Sequence, residues 1–302
     1  MEDPSSSAGW QNLLSLFFIL LSFFYLMQIL WIPLINTRYK DFFDEITSFE
    51  KKSVIFTPNP EIILKTLEDL EFKEILIKAD YLVPDWTGLF IAYQIINLRE
   101  TIKNNFLFYL FSWALIPLFI FNVIFRKKYI YWKYGDKICW SDLTLDLLKF
   151  AEINKVKITI LDLFNPSDDK KVASQKVFSE KLKEKYNTLE FDYFIYDESK
   201  KDEIINKIKN SDSKILFSTL GMKKQEVSIL EVIKTCENIK IWAWIWSSFD
   251  YIIWFQTRAP KIWRILWCEW MYRLFTWPQK MKRLKRLYNA IFVFIYFVIK
   301  SI

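Results

Sequence analysis

The 302-residue sequence contains no histidine. That absence excludes histidine-based acid–base catalysis, Ser-His-Asp triads and histidine-containing zinc sites. Cysteine is scarce as well. Cys139, Cys236 and Cys268 are too few and too scattered for a disulfide scaffold or an all-cysteine metal site, and they suit a reducing compartment. Glycine appears 4 times, where average usage of about 7% would supply roughly twenty. A chain so short of glycine has difficulty closing tight turns. Tryptophan, by contrast, appears 14 times.

Hydrophobic residues make up 52% of the chain and charged residues 25%, with a formal net charge of +7. The charge is unevenly spread. From Arg258 to the end there are ten Lys/Arg against one acid, Glu269, so the rest of the chain is slightly acidic. A basic tail implies an anionic partner: phosphate, lipid headgroups or nucleic acid.

Two long uncharged runs follow one another. Trp10 to Asn36 carries no charge over 27 residues, long enough to span a bilayer as a helix. Arg38 and Lys40 follow it and only acids precede it, which predicts an N-terminus outside and the remainder in the cytoplasm. Phe106 to Phe125 is a second uncharged run of 20, with Pro117 near its middle and bases on both flanks. Basic flanks on both sides argue against a simple crossing and predict a re-entrant hairpin bent at Pro117 or an interfacial helix.

Elsewhere short apolar stretches alternate with helical spacing. Val54–Phe56, Val156–Leu161, Lys214–Thr219 and Ile239–Ile245 read as buried strands, and Pro60–Ala79, Asp142–Asn154, Asp168–Tyr186 and Lys224–Asn238 as helices. The expected fold class is therefore α/β: a Rossmann-like, largely parallel sheet with helices on both faces, plus an N-terminal transmembrane helix and a C-terminal helical, membrane-associated appendage. The expected division is an anchor over 1–32, an α/β domain over 33–257 with an apolar insertion at about 100–130, and a basic appendage over 258–302. In the last of these, Lys280–Arg286 is basic with interleaved apolar residues and leads into the aromatic run Tyr288–Ile299. It reads as attachment to an anionic leaflet or as a solvated helix packed on the domain.

Ligands of such sheets bind beyond the carboxyl ends of the strands, and polar loops stand there. Thr57 and Asn59 follow the first strand, where they either face a ligand or, for Asn59 ahead of Pro60, cap the next helix. Asp85 lies in the turn Val83–Gly88, either as a general base or as an ordinary turn residue. Gly221–Glu226, with Gln225, and Ser247–Asp250 follow later strands. Arg258 and Arg273 supply cations suited to a phosphoanhydride leaving group.

Taken in order, Thr57-Pro-Asn-Pro-Glu61, Pro84-Asp85, Ser141-Asp-Leu143, Gly221-Met-x-Lys-Gln-Glu226, Phe249-Asp250, Arg258-Ala-Pro260 and Glu269-Trp-x-Tyr-Arg273 resemble the bacterial WecG/TagA/CpsF glycosyltransferases. The resemblance covers about residues 33 to 290. It implies an inverting, metal-independent transfer of an N-acetylhexosamine-type sugar, N-acetylmannosamine or a relative, from a UDP donor to an undecaprenyl-diphosphate-linked sugar. Such transfers serve teichoic acid and other cell-surface polysaccharide synthesis at the cytoplasmic face of the bacterial membrane. It further implies Asp85 as the base, with Thr57, Asn59, Ser141, Asp142, Gln225, Glu226 and Asp250 around the substrates. Arg258, Arg273 and, as a looser match, Arg283 or Arg286 would meet the donor diphosphate. No cofactor, no metal and no nucleic acid are expected; the partners are a UDP-sugar, a polyprenyl-diphosphate-linked acceptor and an anionic membrane, with a homo-oligomer left open. A catalytically inactive relative kept as a membrane scaffold is the alternative. Asp162-Leu163, standing where the resemblance implies a Gly-Gly loop, is its main support.

The same resemblance bears on the glycine shortage. Trp86, Trp140, Trp244, Trp246, Trp254 and Trp267 stand where similar proteins carry glycine. Some bacterial lineages decode UGA as glycine, so the expectation is that these six are glycines read with the wrong translation table.

Overall fold

A computed structural model describes residues 26–163, 169–219, 234–244, 259–265 and 280–302, together with Leu230, Val232 and Tyr272. Six parallel strands form the central sheet in the order β4-β3-β8-β7-β5-β6. They are β3 (Ser53–Phe56), β4 (Tyr81–Leu82), β5 (Ile158–Leu163), β6 (Phe191–Tyr196), β7 (Ile215–Ser218) and β8 (Ile241–Trp244). Ile55, Phe56, Leu216, Phe217 and Trp242 are fully buried along the middle strands. This is the continuous apolar reading of strands covered on both faces.

The α/β alternation stands as expected, with differences that have local causes. Pro60–Ala79 is two helices, α2 (Pro60–Glu68) and α3 (Leu70–Leu76). Asp69 takes an extended conformation between them and caps the second by accepting from the Phe72 N–H at 2.9 Å. β6 and the following α10 (Lys201–Lys209) escaped the sequence reading. β6 is an edge strand and mostly half-buried, so its pattern is neither continuously apolar nor alternating.

The N-terminal apolar run does not continue as a helix to Asn36. Its described part is an antiparallel hairpin, β1 (Leu26–Ile29) and β2 (Ile32–Ile35), so the expected anchor over 1–32 is corrected over its last seven residues. The backbone gives the physical reason: Leu30 and Trp31 stand at positive φ, outside the right-handed helical region, and fold Ile32–Ile35 back onto Leu26–Ile29. Residues 1–25 lie outside the described part. Among the described residues no single helix is long and apolar enough to cross a membrane.

The hairpin turn shows what scarce glycine costs. Leu30 and Trp31 take φ of 50° and 64°, the pair of positive values that a two-residue type I′ turn needs and that Asn-Gly normally supplies. Phe49 and Lys155, also at positive φ, close α1 (Tyr39–Thr47) and α8 (Trp140–Ile153) where glycine is the usual choice. Gly135, at φ 76°, is one glycine that nothing could replace, because a Cβ there would lie 2.7 Å from the Thr37 amide nitrogen.

Between β4 and β5 the chain makes α4 (Thr87–Thr101), α5 (Asn105–Ala114), α6 (Ile116–Phe125) and α7 (Lys127–Tyr134) before α8. The second apolar run is thus broken: α5 and α6 meet at a bend of 51°. Pro117 sits in the first turn of α6, the position its ring tolerates. At the end of the chain, the basic helix α12 (Lys280–Tyr288) passes through one π-helical turn, Asn289–Val293, into α13 (Phe294–Ser301). Phe294, Ile295, Val298 and Ile299 bury one face of α13, which packs on α4 and α2.

Candidate active site

The carboxyl ends of β3 and β4 open together. The Val83 amide donates to the Phe56 carbonyl at 2.8 Å, which ties the Thr57–Glu61 loop to the loop that carries Asp85. Thr57 is buried, at 4% exposure, directly beyond β3. Asn59 caps α2: its Oδ1 accepts from the Ile62 N–H at 3.0 Å, with Pro60 opening the helix. Of the two readings of Asn59, capping is the one the geometry displays, and the cap holds this loop in place beside the strand end. Asp85 is half-buried between Pro84 and Trp86.

A third segment joins them. The Ile138 amide donates to the Pro84 carbonyl at 3.2 Å, bringing the start of α8 against the Asp85 loop. There Ser141 is buried and shares a hydrogen bond with the Cys139 thiol at 3.3 Å, while Asp142 is exposed in the first turn of the helix.

The C-terminal helices brace the same edge. Arg286 lies 3.8 Å from Glu61 in the first turn of α2. The Ala290 carbonyl approaches Gly88, where a Cβ would stand 3.5 Å away. That Cβ would also lie 2.2 Å from the Trp86 ring, so a side chain at position 88 would force the indole to move. The basic tail therefore rests on both motif loops, at α2 and at α4. Of the other expected residues, Gln225, Glu226, Asp250, Arg258 and Arg273 lie outside the described residues, and Arg283 is placed only as a backbone position in α12.

A second polar cluster occupies the middle of the sheet edge. β5 leads outward to β6 and β7 leads the other way to β8, so the strand order reverses between β5 and β7. That reversal is where open α/β sheets form their ligand crevice. Here Asp162 closes it: one carboxylate oxygen accepts from Thr219, the first residue after β7, and the other from the Tyr193 hydroxyl of β6 at 2.5 Å. Burial, reinforced by the Asp162 charge, pushes the Tyr193 phenol far above its ordinary range, so it stays a donor. In the sequence Asp162 stands out only as a departure from a glycine loop. Its position at the last turn of an apolar strand was the signal that could have marked it as a site residue. β5, which carries Asp162, is four strand spacings from β4, which leads to Asp85, about 19 Å across the sheet.

An open groove of about 510 Å³ between β6 and α10 has charged walls, with Lys157–Asp192 at 2.9 Å and Lys207–Glu203 at 2.6 Å already paired. It lies toward the amino ends of the strands, away from the crevice. Among the described residues no three His, Cys, Asp or Glu side chains converge as a metal site.

A six-stranded parallel sheet with polar loops at its carboxyl edge and a basic helix against them makes this an α/β domain of the Rossmann-like class. Residues 27–114 and 123–302 match the Glycosyl transferase WecG/TagA/CpsF family, and the chain belongs to that family. Its members are glycosyltransferases of cell-surface polysaccharide synthesis, and the family implies a sugar-nucleotide donor and a lipid-linked acceptor.

Proposed function

We propose that this chain is an inverting, metal-independent transferase that moves an N-acetylhexosamine-type sugar from UDP to an undecaprenyl-diphosphate-linked sugar at the cytoplasmic face of a bacterial membrane. The observation that carries the reading is the braced edge of β3 and β4, where Asp85, Thr57 and the α8 start are held together under a basic helix. Asp85 would take the proton from the acceptor hydroxyl as that oxygen attacks the anomeric carbon. The bond from the sugar to UDP breaks on the opposite face, which inverts the centre. The negative charge left on UDP would be offset by Arg258, Arg273 and Arg283. A lipid-linked acceptor brings its diphosphate to the same side as the tail, whose ten bases suit an anionic surface.

The second reading, an inactive membrane scaffold, is favoured by one feature. Asp162 puts a carboxylate in the crevice where a diphosphate would otherwise approach. A screen of UDP-sugars against lipid-linked acceptors, read by mass spectrometry with and without chelator, separates the two. Release of UDP only in the presence of acceptor, unaffected by chelator, supports the transferase. No turnover across the panel, with no UDP binding by calorimetry, supports the scaffold.

A further inference from the structure

We infer that α5, α6 and α7 form a wedge that inserts into the interface of an anionic lipid bilayer without crossing it. α6 is fixed to the domain by one face only. Phe119, Asn122 and Val123 are buried, and Asn122 donates to Gln94 of α4 at 3.0 Å, while Gln94 donates to the Phe119 carbonyl at 3.2 Å. Leu118, Phe121 and Phe125, at helical spacing on the other face, are exposed. α5 is barer still: only Phe108 and Ser112 are buried, and Phe106 is 73% exposed, with Leu110 and Trp113 outward beside it. On α7, Trp132 is 73% exposed. Aromatic residues of this kind favour the headgroup level of a membrane.

Charge says what covers this surface. Between Glu100 and Asp136 the sequence has Lys103, Arg126, Lys127, Lys128 and Lys133 and no acid. A symmetric pairing of two copies through the wedge would set these five bases against five more, whereas anionic headgroups neutralise them. Length and attachment say how it lies. Each of α5 and α6 has ten residues, about 15 Å of helix, half of a hydrocarbon core of about 30 Å. Both ends return to the domain: Arg99 binds the Ile102 and Lys103 carbonyls, and the Asp136 amide donates to the Thr37 carbonyl at 2.8 Å. The family match breaks at residues 115–122, at the bend and the first turns of α6.

The wedge rests on the proposed reading for the reason a lipid-borne acceptor is near, but its test reads lipid rather than turnover. Full-length protein is floated with vesicles of phosphatidylglycerol and phosphatidylcholine, or of phosphatidylcholine alone, the anionic mixture carrying a phospholipid with a photoreactive acyl chain. The double variant Leu110→Glu/Phe121→Glu is compared with Ile153→Glu, which charges an exposed apolar residue at the end of α8. Expected are preferential binding to the anionic vesicles, crosslinks within residues 105–133, and a loss of tenfold or more in partitioning for the double variant alone. Retained crosslinking with unchanged partitioning of the double variant overturns the inference, as does equal binding to both vesicle types. Crosslinks absent from residues 105–133 overturn it too, as does a dimer that the double variant dissociates without any change in lipid binding. A failed sugar-transfer screen leaves these outcomes as they stand, so the two readings fail separately.

Discussion

The two halves of the parallel sheet end in opposite ways. At the β3–β4 edge the strand ends are short of charge of their own, and Asp85 and Thr57 are arranged by a helix cap, a backbone bridge and the basic tail. At the β5–β7 reversal a carboxylate sits in the crevice itself, with two hydroxyls donating to it. One half is braced from outside; the other is satisfied from within. The two ends lie four strand spacings apart, about 19 Å from β4 to β5 along the sheet edge. The difference means that one half can lose its role without disturbing the fold of the other.

The largest expected effect falls on the braced half. Asp85→Asn should lower turnover by about a thousandfold, within the range for removing a general base, with the fold unchanged by circular dichroism. Steady-state rates with the best donor and acceptor check it, and equal rates would remove Asp85 from the chemistry. On the other half, Asp162→Asn should tighten UDP binding by calorimetry by about tenfold, because it removes a negative charge from the crevice and leaves an amide oxygen to accept from Thr219 or Tyr193. Unchanged or weaker binding would show that the carboxylate does not oppose the diphosphate, and would take away the feature that favours the scaffold reading.

Two smaller effects test the framing rather than the chemistry. Asn59→Ala should cost about 1 kcal/mol in urea unfolding, the usual worth of a cap. Any loss of turnover beyond that of the unfolded fraction would mean that the cap positions the Asp85 side of the site. Trp31→Gly should stabilise by about 1 kcal/mol or less, because glycine carries no penalty at φ 64°. For the tryptophans at expected glycine sites, peptide masses of the native protein are decisive. A glycine mass at Trp86 would also free the space its ring now takes beside Gly88.

Much of the fold was legible because apolar strands covered on both faces write their burial into consecutive letters. Val54–Phe56 and Lys214–Thr219 read clearly for that reason, and Pro60 with Asn59 announced a helix start. The hairpin at Leu26–Ile35 was not legible, since Leu30-Trp31 hides a turn that Asn-Gly would have signalled. In the site, Asp85, Thr57 and Asn59 could be named from their motifs. The bracing of their loops by Arg286 and Ala290 could not, because it joins residues more than two hundred positions apart.

The sequence by itself determined the class of fold, the chemistry that is excluded by lacking histidine, and the family, since these rest on composition, local period and short motifs. Only the tertiary structure decided that Asp162 closes the crevice with Thr219 and Tyr193, and that the bent second apolar run is held to the domain by one face of α6. The physical reason is the same in both cases. A hydrogen bond across strands and a helix face left bare depend on which neighbours the sheet order brings together, and that order is set by packing of the whole chain rather than by any local stretch of it.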